Sequence, residues 1–388
     1  MNTRNRYMIR KLNVLFISNQ GGGAPKSLLN MIKSLHGWVN PIVLFENDWY
    51  DYQAFKKEGI ECLIVPYRMN MVLDEPGCKT VKWKIHRFID EWTKNHLAPY
   101  CIAKKLKGRN IDIVHTNTGA ITIGLAVAKK LQAKHVWHLR EFQDIDFGGH
   151  PYCGWTRFYD LLSQSDAIIS ITQAVHRHFR LDNHKNSHVI WNAVRSKKDA
   201  MIDEEKEDYI LYCSSMIRYP KGLHDLIDAY AMSSLPQQGV KLKVLGIMDA
   251  DYEQVILDKI AKNKLDDSVL FLGNQSNPKP FFAKAKAFVL PSLNEGLGRV
   301  VIEAMFYGCP VIVRKSGGPL EYIEDHVNGY FFDTTKELAS LLEKVCMNDQ
   351  SEVIKKAQDF VLSHFSEEVY GQEILSVYKD VLAHPNEG

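Results

Sequence analysis

Residues 287–307 read AFVLPSLNEGLGRVVIEAMFY, and this stretch decides the class of fold. The apolar run at 287–291 predicts a buried strand, and the apolar spacing after Gly298 predicts an amphipathic helix. The loop between them carries Glu295, and the helix carries a second carboxylate, Glu303. A strand, a turn and a helix in succession form the repeating unit of parallel sheets, so the chain is predicted to be an α/β protein.

The same alternation of strands and helices continues in both directions from this stretch. Strands are predicted at 14–18, 41–45, 61–65, 111–115, 135–138, 167–171 and 188–190 in the first half, and at 209–213, 241–246, 269–272, 287–291 and 310–313 in the second. Alternating strands and helices imply right-handed crossovers and parallel sheets. Two such runs predict two Rossmann-like, doubly wound domains that face each other across a cleft, with ligands at the carboxyl ends of the strands.

A polar, strongly charged segment at 195–208, RSKKDAMIDEEKED, separates the two runs and is predicted to be an interdomain linker. The sequence therefore assigns 1–194 to an N-terminal domain, 209–365 to a C-terminal domain and 366–388 to a final helix. That helix has no strand left to support, so we expect it to pack across the interface between the domains.

The composition is that of a folded globular protein. Of the 388 residues, 45% are hydrophobic and 24% are charged, which excludes disorder as the main state. No apolar run reaches about 18 residues, so a membrane-spanning helix is not expected. The seven cysteines are scattered without CxxC spacing, which argues against a disulfide framework or a zinc site and for a reducing, cytoplasmic compartment.

The charges are unevenly distributed along the chain. Residues 1–190 carry 26 Lys and Arg against 16 Asp and Glu, and a basic half indicates an anionic partner. Basic residues are densest at 79–109, where Trp83 and Trp92 lie between them and predict an amphipathic helix. Such a helix fits contact with an anionic membrane face, and it equally fits an ordinary helix packed on the sheet. The net charge of +2 and the lack of a recognition motif argue against nucleic-acid binding.

Two segments that follow predicted strands of the second half carry charges suited to a nucleotide-sugar. In SSMIRYPKG, which begins at Ser214, the cations of Arg218 and Lys221 precede a helix and suit a diphosphate. In the second segment, the carboxylates of Glu295 and Glu303 lie beside backbone amides at 296–299 that suit an anion. Paired acids beside such amides predict Glu303 on a ribose and Glu295 on a sugar. The alternative is that both acids only cap and solvate a helix.

A glycine-rich turn, NQGGGA at 19–24, follows the first predicted strand. Gly22 and Gly23 let the backbone approach a ligand at the start of the next helix. The turn lacks the GxGxxG pattern, because Lys26 stands where the third glycine would fall. A tight strand–helix turn without any ligand is the alternative.

The longer stretch PSLNEGLGRVVIEAMFYGCPVIVRKSGGPLEYIEDHVNGYFF, residues 291–332, resembles the donor-site signature of GT4-type retaining glycosyltransferases of the GT-B fold. The resemblance includes the Glu-x7-Glu motif at Glu295 and Glu303, and it continues through SSMIRYPKGLHDLIDAY at 214–230 and GGGAPKSLLNM at 21–31. It implies a nucleoside-diphosphate-sugar donor on the second domain, an acceptor on the first, transfer with retention, and neither a metal nor a cofactor.

The resemblance also implies roles for single residues. The predicted catalytic residues are Glu295, His138, Arg218 and Lys221. The predicted donor-binding residues are Glu303, Gly296, Leu297, Gly298, Ser214 and Asn274, the last through backbone contact with the base. The predicted acceptor-binding residues are Gly22, Gly23, Asn117 and Arg140. The arginine that the family usually has five residues before the lysine is Met216 here, so we expect Arg218 to reach the diphosphate by a different path. The alternative is a site with one fewer cation.

His138 in HVWHLRE, 135–141, is the best match to the histidine that faces the donor sugar in many family members. The alternative is a histidine satisfied inside the protein at a strand end. Arg140 is suited to an anionic acceptor, and Asn117 follows another strand that we expect to line the acceptor side.

The sequence therefore predicts an enzyme that transfers a hexose-type sugar from a nucleoside-diphosphate-sugar to a saccharide or lipid-linked saccharide in cell-surface polysaccharide synthesis. A sugar-nucleotide epimerase of the same fold and a non-catalytic nucleotide-sugar-binding protein are the alternatives. Two DxD pairs, at 144–146 and 249–251, mimic the metal motif of the other glycosyltransferase fold. That motif works in a single-domain fold, which neither pair matches here. Both pairs are therefore predicted to be solvated acids.

Overall fold

The computed structural model describes residues 10–73, 81–203 and 205–384, without the side chains of 73, 81–87, 146 and 147. The chain divides into two compact units, the first comprising Met1–Ala193 with Glu367–Gly388 and the second comprising Val194–Ser366. Within the described ranges, no helix combines the length and the apolar character needed to cross a membrane.

The first unit is built on a seven-stranded parallel sheet. Its strands, and those of a small antiparallel ribbon, are β1 (Leu12–Ile17), β2 (Val39–Phe45), β3 (Glu61–Ile64), β4 (Val72–Leu73), β5 (Ile113–Thr116), β6 (Lys134–Leu139), β7 (Gly149–His150), β8 (Ala167–Ser170) and β9 (Ser187–Val189). The order in the main sheet is β3-β2-β1-β5-β6-β8-β9, and β4 pairs with β7. Strands β5 and β8 are buried along their whole length, as expected for a parallel sheet covered by helices on both faces.

Among the described residues, seven helices of the first unit precede the domain boundary. They are α1 (Ala24–Ser34), α2 (Tyr50–Lys57), α3 (Val81–Lys105), α4 (Ile123–Leu131), α5 (Asp144–Phe147), α6 (Gly154–Ser163) and α7 (Gln173–His178). Helix α1 has a proline in its first turn, where the missing N–H costs nothing, and it buries Leu28 and Met31 against the sheet.

The second unit repeats the scheme with a six-stranded sheet. Its strands are β10 (Tyr209–Ile217), β11 (Lys241–Met248), β12 (Val269–Gly273), β13 (Ala287–Leu290), β14 (Val311–Arg314) and β15 (Tyr330–Phe332). All the pairings are parallel, in the order β12-β11-β10-β13-β14-β15. The chain therefore runs outward from β10 in one direction and then from β13 in the other, which is the doubly wound arrangement that the sequence predicted.

The helices of the second unit cover both faces of its sheet. They are α8 (Leu223–Met232), α9 (Ala250–Lys262), α10 (Lys279–Lys284), α11 (Arg299–Phe306), α12 (Thr335–Met347) and α13 (Ser351–His364). Helix α12 begins with a capping box, in which Thr334 and Glu337 satisfy each other's backbone N–H groups.

The final helix, α14 (Glu367–Ala383), belongs to the first unit. It buries Tyr370, Ile374 and Tyr378 in the same core as residues of α1. Gly371 permits the close approach, since a Cβ there would stand 2.4 Å from the Ser34 carbonyl oxygen. The expectation that this helix packs across an interdomain interface stays a prediction.

The segment predicted to be a linker, 195–208, contacts the second unit. The half-buried ammonium of Lys206 donates to the carbonyl oxygens of Ala283 and Gly308, the latter at 2.8 Å, and burial lowers the pKa of Lys206. The Gln358 amide donates to the Met201 carbonyl at 3.0 Å. Lys206 thus satisfies two carbonyl groups at helix ends and holds the segment on the second unit, and the role of the segment as an interdomain linker stays a prediction.

The strands also differ from the predicted set. Strand β10 continues beyond Cys213 to Ile217 through an irregularity between Cys213 and Met216, so residues predicted to form a loop extend the sheet. Strand β15 and the two-residue strands β4 and β7 were not predicted, because runs this short carry no periodicity.

Candidate active site

The loops that follow β10 and β13 meet where the strand order of the second sheet reverses. The two strands are paired directly, with Ile210 opposite Ala287. The Leu293 amide donates to the Pro220 carbonyl at 2.9 Å, and a Cβ at Gly222 would stand 2.1 Å from the Pro291 oxygen. Only glycine therefore allows the two loops to touch. In open α/β sheets this switch point is where ligands bind.

Lys221 and Glu295 form an ion pair at this switch point. The Lys221 Nζ lies 2.9 Å from the Glu295 Oε2, and the side chains are 35% and 20% exposed. The sequence placed both residues in the site but did not predict their contact. A cation suited to phosphate and a carboxylate suited to hydroxyl groups are thus held side by side by two adjoining loops.

The loop at 296–298 rests on a second pair of glycines. The Gly318 amide donates to the Glu295 carbonyl at 2.8 Å, and a Cβ at Gly318 would stand 1.7 Å from the Gly296 oxygen. The Tyr322 hydroxyl donates to the Leu297 carbonyl at 2.9 Å. The sequence analysis did not predict this support. The two glycines shortly after β14 could have indicated a close contact between backbone segments.

The same loop leads into the N-terminus of α11. Gly298 is the N-cap residue and adopts a left-handed conformation, φ 73°, so the chain turns sharply into the helix. The first amides of a helix have no partner within it, and the helix dipole is positive at this end. The predicted anion-binding amides at 296–299 are therefore built into the turn beside the Lys221–Glu295 pair.

Glu303 lies inside α11 and faces a residue that the sequence did not predict. Its Oε1 is 3.0 Å from Nη2 of Arg195, which comes from the segment predicted to be a linker. Burial, with a smaller contribution from the charge of Glu303, raises the pKa of Cys213 in β10 to about 12. Arg195 orients one oxygen of Glu303, so the ion pair fixes the carboxylate that was predicted to bind ribose.

Arg218 lies apart from the Lys221–Glu295 pair. Its side chain is 62% exposed, and its Nε lies 3.6 Å from Asp249, which also caps α9. Met216, at the position of the family's arginine, is exposed too. The proposed contact between Arg218 and a diphosphate stays a prediction.

Two further residues predicted to bind the donor lie at the same edge of the sheet. The Ser214 hydroxyl donates to the Met216 carbonyl at 3.0 Å within the extended β10. Asn274 is exposed and follows the edge strand β12. Their roles in donor binding stay predictions.

In the first unit, the glycine turn lies at the corresponding switch point between β1 and β5. Gly22 and Gly23 are exposed. The Asn117 amide donates to the Ala24 carbonyl at 3.0 Å and to the Ser18 hydroxyl at 3.2 Å. Asn117 is fully buried, so its side chain stabilises the turn from inside the protein. An additional role on the acceptor stays a prediction.

His138 and Arg140 are both buried inside the first unit. The Nδ1 of His138 lies 3.3 Å from His115, which contacts the Tyr378 hydroxyl at 2.9 Å. Arg140 donates to Asn117 at 2.7 Å, and to Asn192. These contacts join the sheet to α14, whereas the buried His138 Nε2 has no partner in the described part of the chain, so the histidine is only partly satisfied. Their predicted roles are untested.

No cluster of three or more His, Cys, Asp or Glu side chains suited to a metal ion occurs among the residues described. Of the two DxD pairs, Asp249 caps a helix, and Asp144 lies 2.9 Å from His178. That the reaction needs neither a metal nor a cofactor stays a prediction.

Comparison with known proteins agrees with this geometry. The family model described as Glycosyl transferases group 1 matches residues 193–361. The lipopolysaccharide core biosynthesis glycosyltransferase LpsE of Rhizobium meliloti is 32% identical over 168 residues, which are 42% of this chain and 46% of that protein. The N-acetyl-alpha-D-glucosaminyl L-malate synthase of Bacillus anthracis is 25% identical over 58% of this chain and 63% of its own length. The matched stretches thus span about half of these relatives.

Solved structures share the fold of both units. Alr3699/HepE of Anabaena, crystallised with UDP, superposes with a TM-score of 0.77 at 20% identity over 96% of this chain and all of that one. The same protein has been crystallised with UDP-glucose. Residues 193–361 thus match the model of the group 1 glycosyl transferases, and both Rossmann-like units have the fold of GT-B glycosyltransferases.

Proposed function

We propose that this protein is a retaining glycosyltransferase. It transfers a hexose-type sugar from a nucleoside-diphosphate-sugar to a saccharide or lipid-linked saccharide in the synthesis of a cell-surface polysaccharide, without a metal ion. The Lys221–Glu295 ion pair beside the 296–298 turn is the observation that carries the proposal. The relative LpsE, which is named for lipopolysaccharide core biosynthesis, supports the biosynthetic role. The complexes of HepE make UDP-glucose the first donor to test.

The Lys221–Glu295 ion pair allows one site to bind both the diphosphate and the sugar of the donor. A phosphate is attracted by an ammonium and by helix amides, whereas sugar hydroxyls donate to a carboxylate. Lys221 binds the β-phosphate of the donor, and Glu295 accepts hydrogen bonds from the sugar. Glu303, oriented by Arg195, accepts from the ribose with its remaining oxygen.

The proposed catalysis is electrostatic. Departure of the nucleoside diphosphate places negative charge on its β-phosphate while the sugar becomes oxocarbenium-like. Lys221 and the amides before α11 stabilise that charge where it develops. We assign no protein nucleophile. The acceptor hydroxyl attacks the face from which the phosphate leaves, with the phosphate taking its proton, and the anomeric configuration is retained.

The test is a kinetic comparison of Lys221→Ala and Glu295→Ala with the wild-type enzyme, over UDP- and GDP-hexoses and a panel of acceptors. Each substitution should lower kcat/KM by roughly 100-fold or more, because each removes charge stabilisation in a shielded site. Lys259→Ala is the matched control, since Lys259 also pairs with a carboxylate, Asp228, but on the outside of helices in the same unit. Wild-type turnover in both site variants would refute the proposal.

The alternative functions predict different products. An epimerase converts the nucleotide-sugar without any acceptor, and a binding protein leaves it unchanged. A new glycoside that forms only when both substrates are present excludes both alternatives. Epimerised nucleotide-sugar in the absence of acceptor would replace the transferase by the epimerase.

We further propose that an anionic membrane surface binds α3. Phe88, Trp92 and Tyr100 are each more than half exposed and lie on one face of this helix, and Lys104 and Lys105 are exposed at its end. Apolar and basic residues together suit the boundary of an anionic bilayer. The side chains of Trp83 and of the cations at 79, 82, 84 and 87 lie outside the described residues.

Flotation with liposomes tests this surface. Phe88→Ser with Trp92→Ser should reduce binding to vesicles of phosphatidylcholine with phosphatidylglycerol, and Trp38→Ser, another exposed tryptophan in the first unit, is the control. If the wild type, the Phe88→Ser/Trp92→Ser double variant and the Trp38→Ser control float to the same extent, the membrane proposal is refuted. The transferase proposal does not depend on this result.

A further inference from the structure

Three buried acceptor oxygens at the carboxyl ends of β1 and β2 have no hydrogen-bond donor among the described residues. They are Asn19 Oδ1, Gln20 Oε1 and Glu46 Oε2. The register pairs Ile17 with Leu44, so Asn19 and Glu46 follow the ends of adjacent strands. A buried acceptor without a donor destabilises a protein unless a ligand or water supplies one, so this group of oxygens needs an explanation.

The loops that carry these oxygens are tied together. The Gln20 amide donates to the Asn47 carbonyl at 2.8 Å, and the Gly21 amide donates to the buried Asp51 carboxylate at 2.6 Å. The glycine turn is therefore anchored to the loop that leads into α2. The open side of the turn is unfilled, since a Cβ at Gly22 or at Gly23 would meet no atom within 4 Å.

Two aromatic side chains stand at the rim of the same loops. Trp49 is 61% exposed and Tyr50 is 62% exposed, although both are large and apolar in part. The Trp49 amide donates to Asn47 at 3.1 Å, and the Tyr50 hydroxyl lies 3.4 Å from the place of a Cβ on Gly21. Adjacent exposed aromatic rings beside an open, polar turn are typical of a binding surface.

The charges around this surface select the kind of ligand. Glu46, Asp48 and Asp51 lie within six residues of one another, so an anionic ligand would be repelled. Burial raises the pKa of Glu46, while the charge of Arg68 opposes that change. Carboxylate and amide oxygens accept hydrogen bonds from hydroxyl groups, and flat rings pack against apolar C–H faces. A ring with hydroxyls on its edge and C–H groups on its face fits both features.

We propose that Trp49 and Tyr50 form a stacking platform for an uncharged pyranose ring whose hydroxyls donate to Asn19, Gln20 and Glu46. This ring is the terminal sugar of the acceptor, so the inference rests on the proposed function and names its substrate class. The three oxygens are covered in the structure described. The ring reaches them when the open side of the turn, at Gly22 and Gly23, shifts while Gly21 stays anchored to Asp51, and glycines permit this because no side chain has to be displaced.

Saturation-transfer NMR tests the platform directly. The probes are the methyl β-pyranosides of glucose, galactose and N-acetylglucosamine at millimolar concentration, with glucuronic acid as the charged comparison. Transfer to the C–H protons should be seen with the wild type, should fall roughly fivefold or more in Trp49→Ala and should be largely retained in Trp49→Phe. Trp38→Ala is the control, because Trp38 is an exposed tryptophan elsewhere in the first unit.

Equal signals from Trp49→Ala and the wild type, no signal with any neutral glycoside, or a stronger signal from glucuronic acid would overturn the proposal. Glu46→Gln should weaken binding of the same probes about five- to twentyfold without changing the fold seen by circular dichroism. In transfer assays Trp49→Ala should raise the KM for the acceptor and leave the KM for the donor unchanged. Absence of any transfer by the wild type would refute the proposed function, while the NMR result would still decide the platform.

Discussion

Replacing Gly318 by alanine should displace the 296–298 turn of the donor site and so lower the rate of transfer. The added Cβ would stand 1.7 Å from the carbonyl oxygen and 2.7 Å from the carbonyl carbon of Gly296. Both are backbone atoms, so no side-chain rotation relieves the clash. Reaching even the tightest contacts of about 3.0 Å requires the two segments to separate by about 1.3 Å, and a misplacement of about 1 Å can cost 100-fold in rate.

The same clash has a cost in stability. Overpacking by a methyl group costs about 1–3 kcal/mol, so the free energy of unfolding should fall by that amount without loss of the fold. Steady-state transfer kinetics and urea unfolding measure the two effects. Gly296→Ala is the comparison for stability, because a Cβ there meets no atom within 4 Å. Wild-type kcat/KM in Gly318→Ala would refute the claim that this glycine positions the 296–298 turn.

Three further changes test the surrounding structure. Arg140→Leu removes the guanidinium donor from the buried oxygen of Asn117 and leaves Asn192 only the Tyr370 hydroxyl at 3.4 Å, and it should lower the free energy of unfolding by about 2–4 kcal/mol in urea. Burial lowers the pKa of His115 and of His138, so the unfolded chain takes up these protons at a higher pH than the folded protein does. The free energy of unfolding should therefore be constant above about pH 6.5 and fall below it. Thermal unfolding measured between pH 8 and pH 5 would show this. Lys206→Met should cost about 1–3 kcal/mol, measured by urea unfolding of the whole chain, because two carbonyl groups lose their donor.

The sequence predicted the fold because parallel strands buried on both faces appear as short continuous apolar runs. The runs at 111–115 and 167–171 correspond to strands β5 and β8, whose residues are all buried. The same criterion fails for Tyr330–Phe332, which is too short to stand out. It also fails for the segment around Lys206, where charged side chains are used to satisfy carbonyl groups rather than to face solvent.

That Lys221 and Glu295 lie at the same edge of the second sheet was predictable, because each follows a strand, β10 and β13, at its carboxyl end. The Lys221–Glu295 contact was not, since no rule of spacing relates residues on two different loops. Arg195 was missed because its charged neighbours resemble a linker. Trp49 and Tyr50 were missed because an exposed aromatic residue and a core aromatic residue look alike in a sequence.

The central claim is that a nucleoside diphosphate binds against the turn at 296–298. A crystal structure of the protein with UDP tests it most directly. The diphosphate should lie against the amides of that turn, with the Lys221 ammonium within about 3 Å of a β-phosphate oxygen. A diphosphate bound elsewhere, with the Lys221–Glu295 pair undisturbed, would contradict the account.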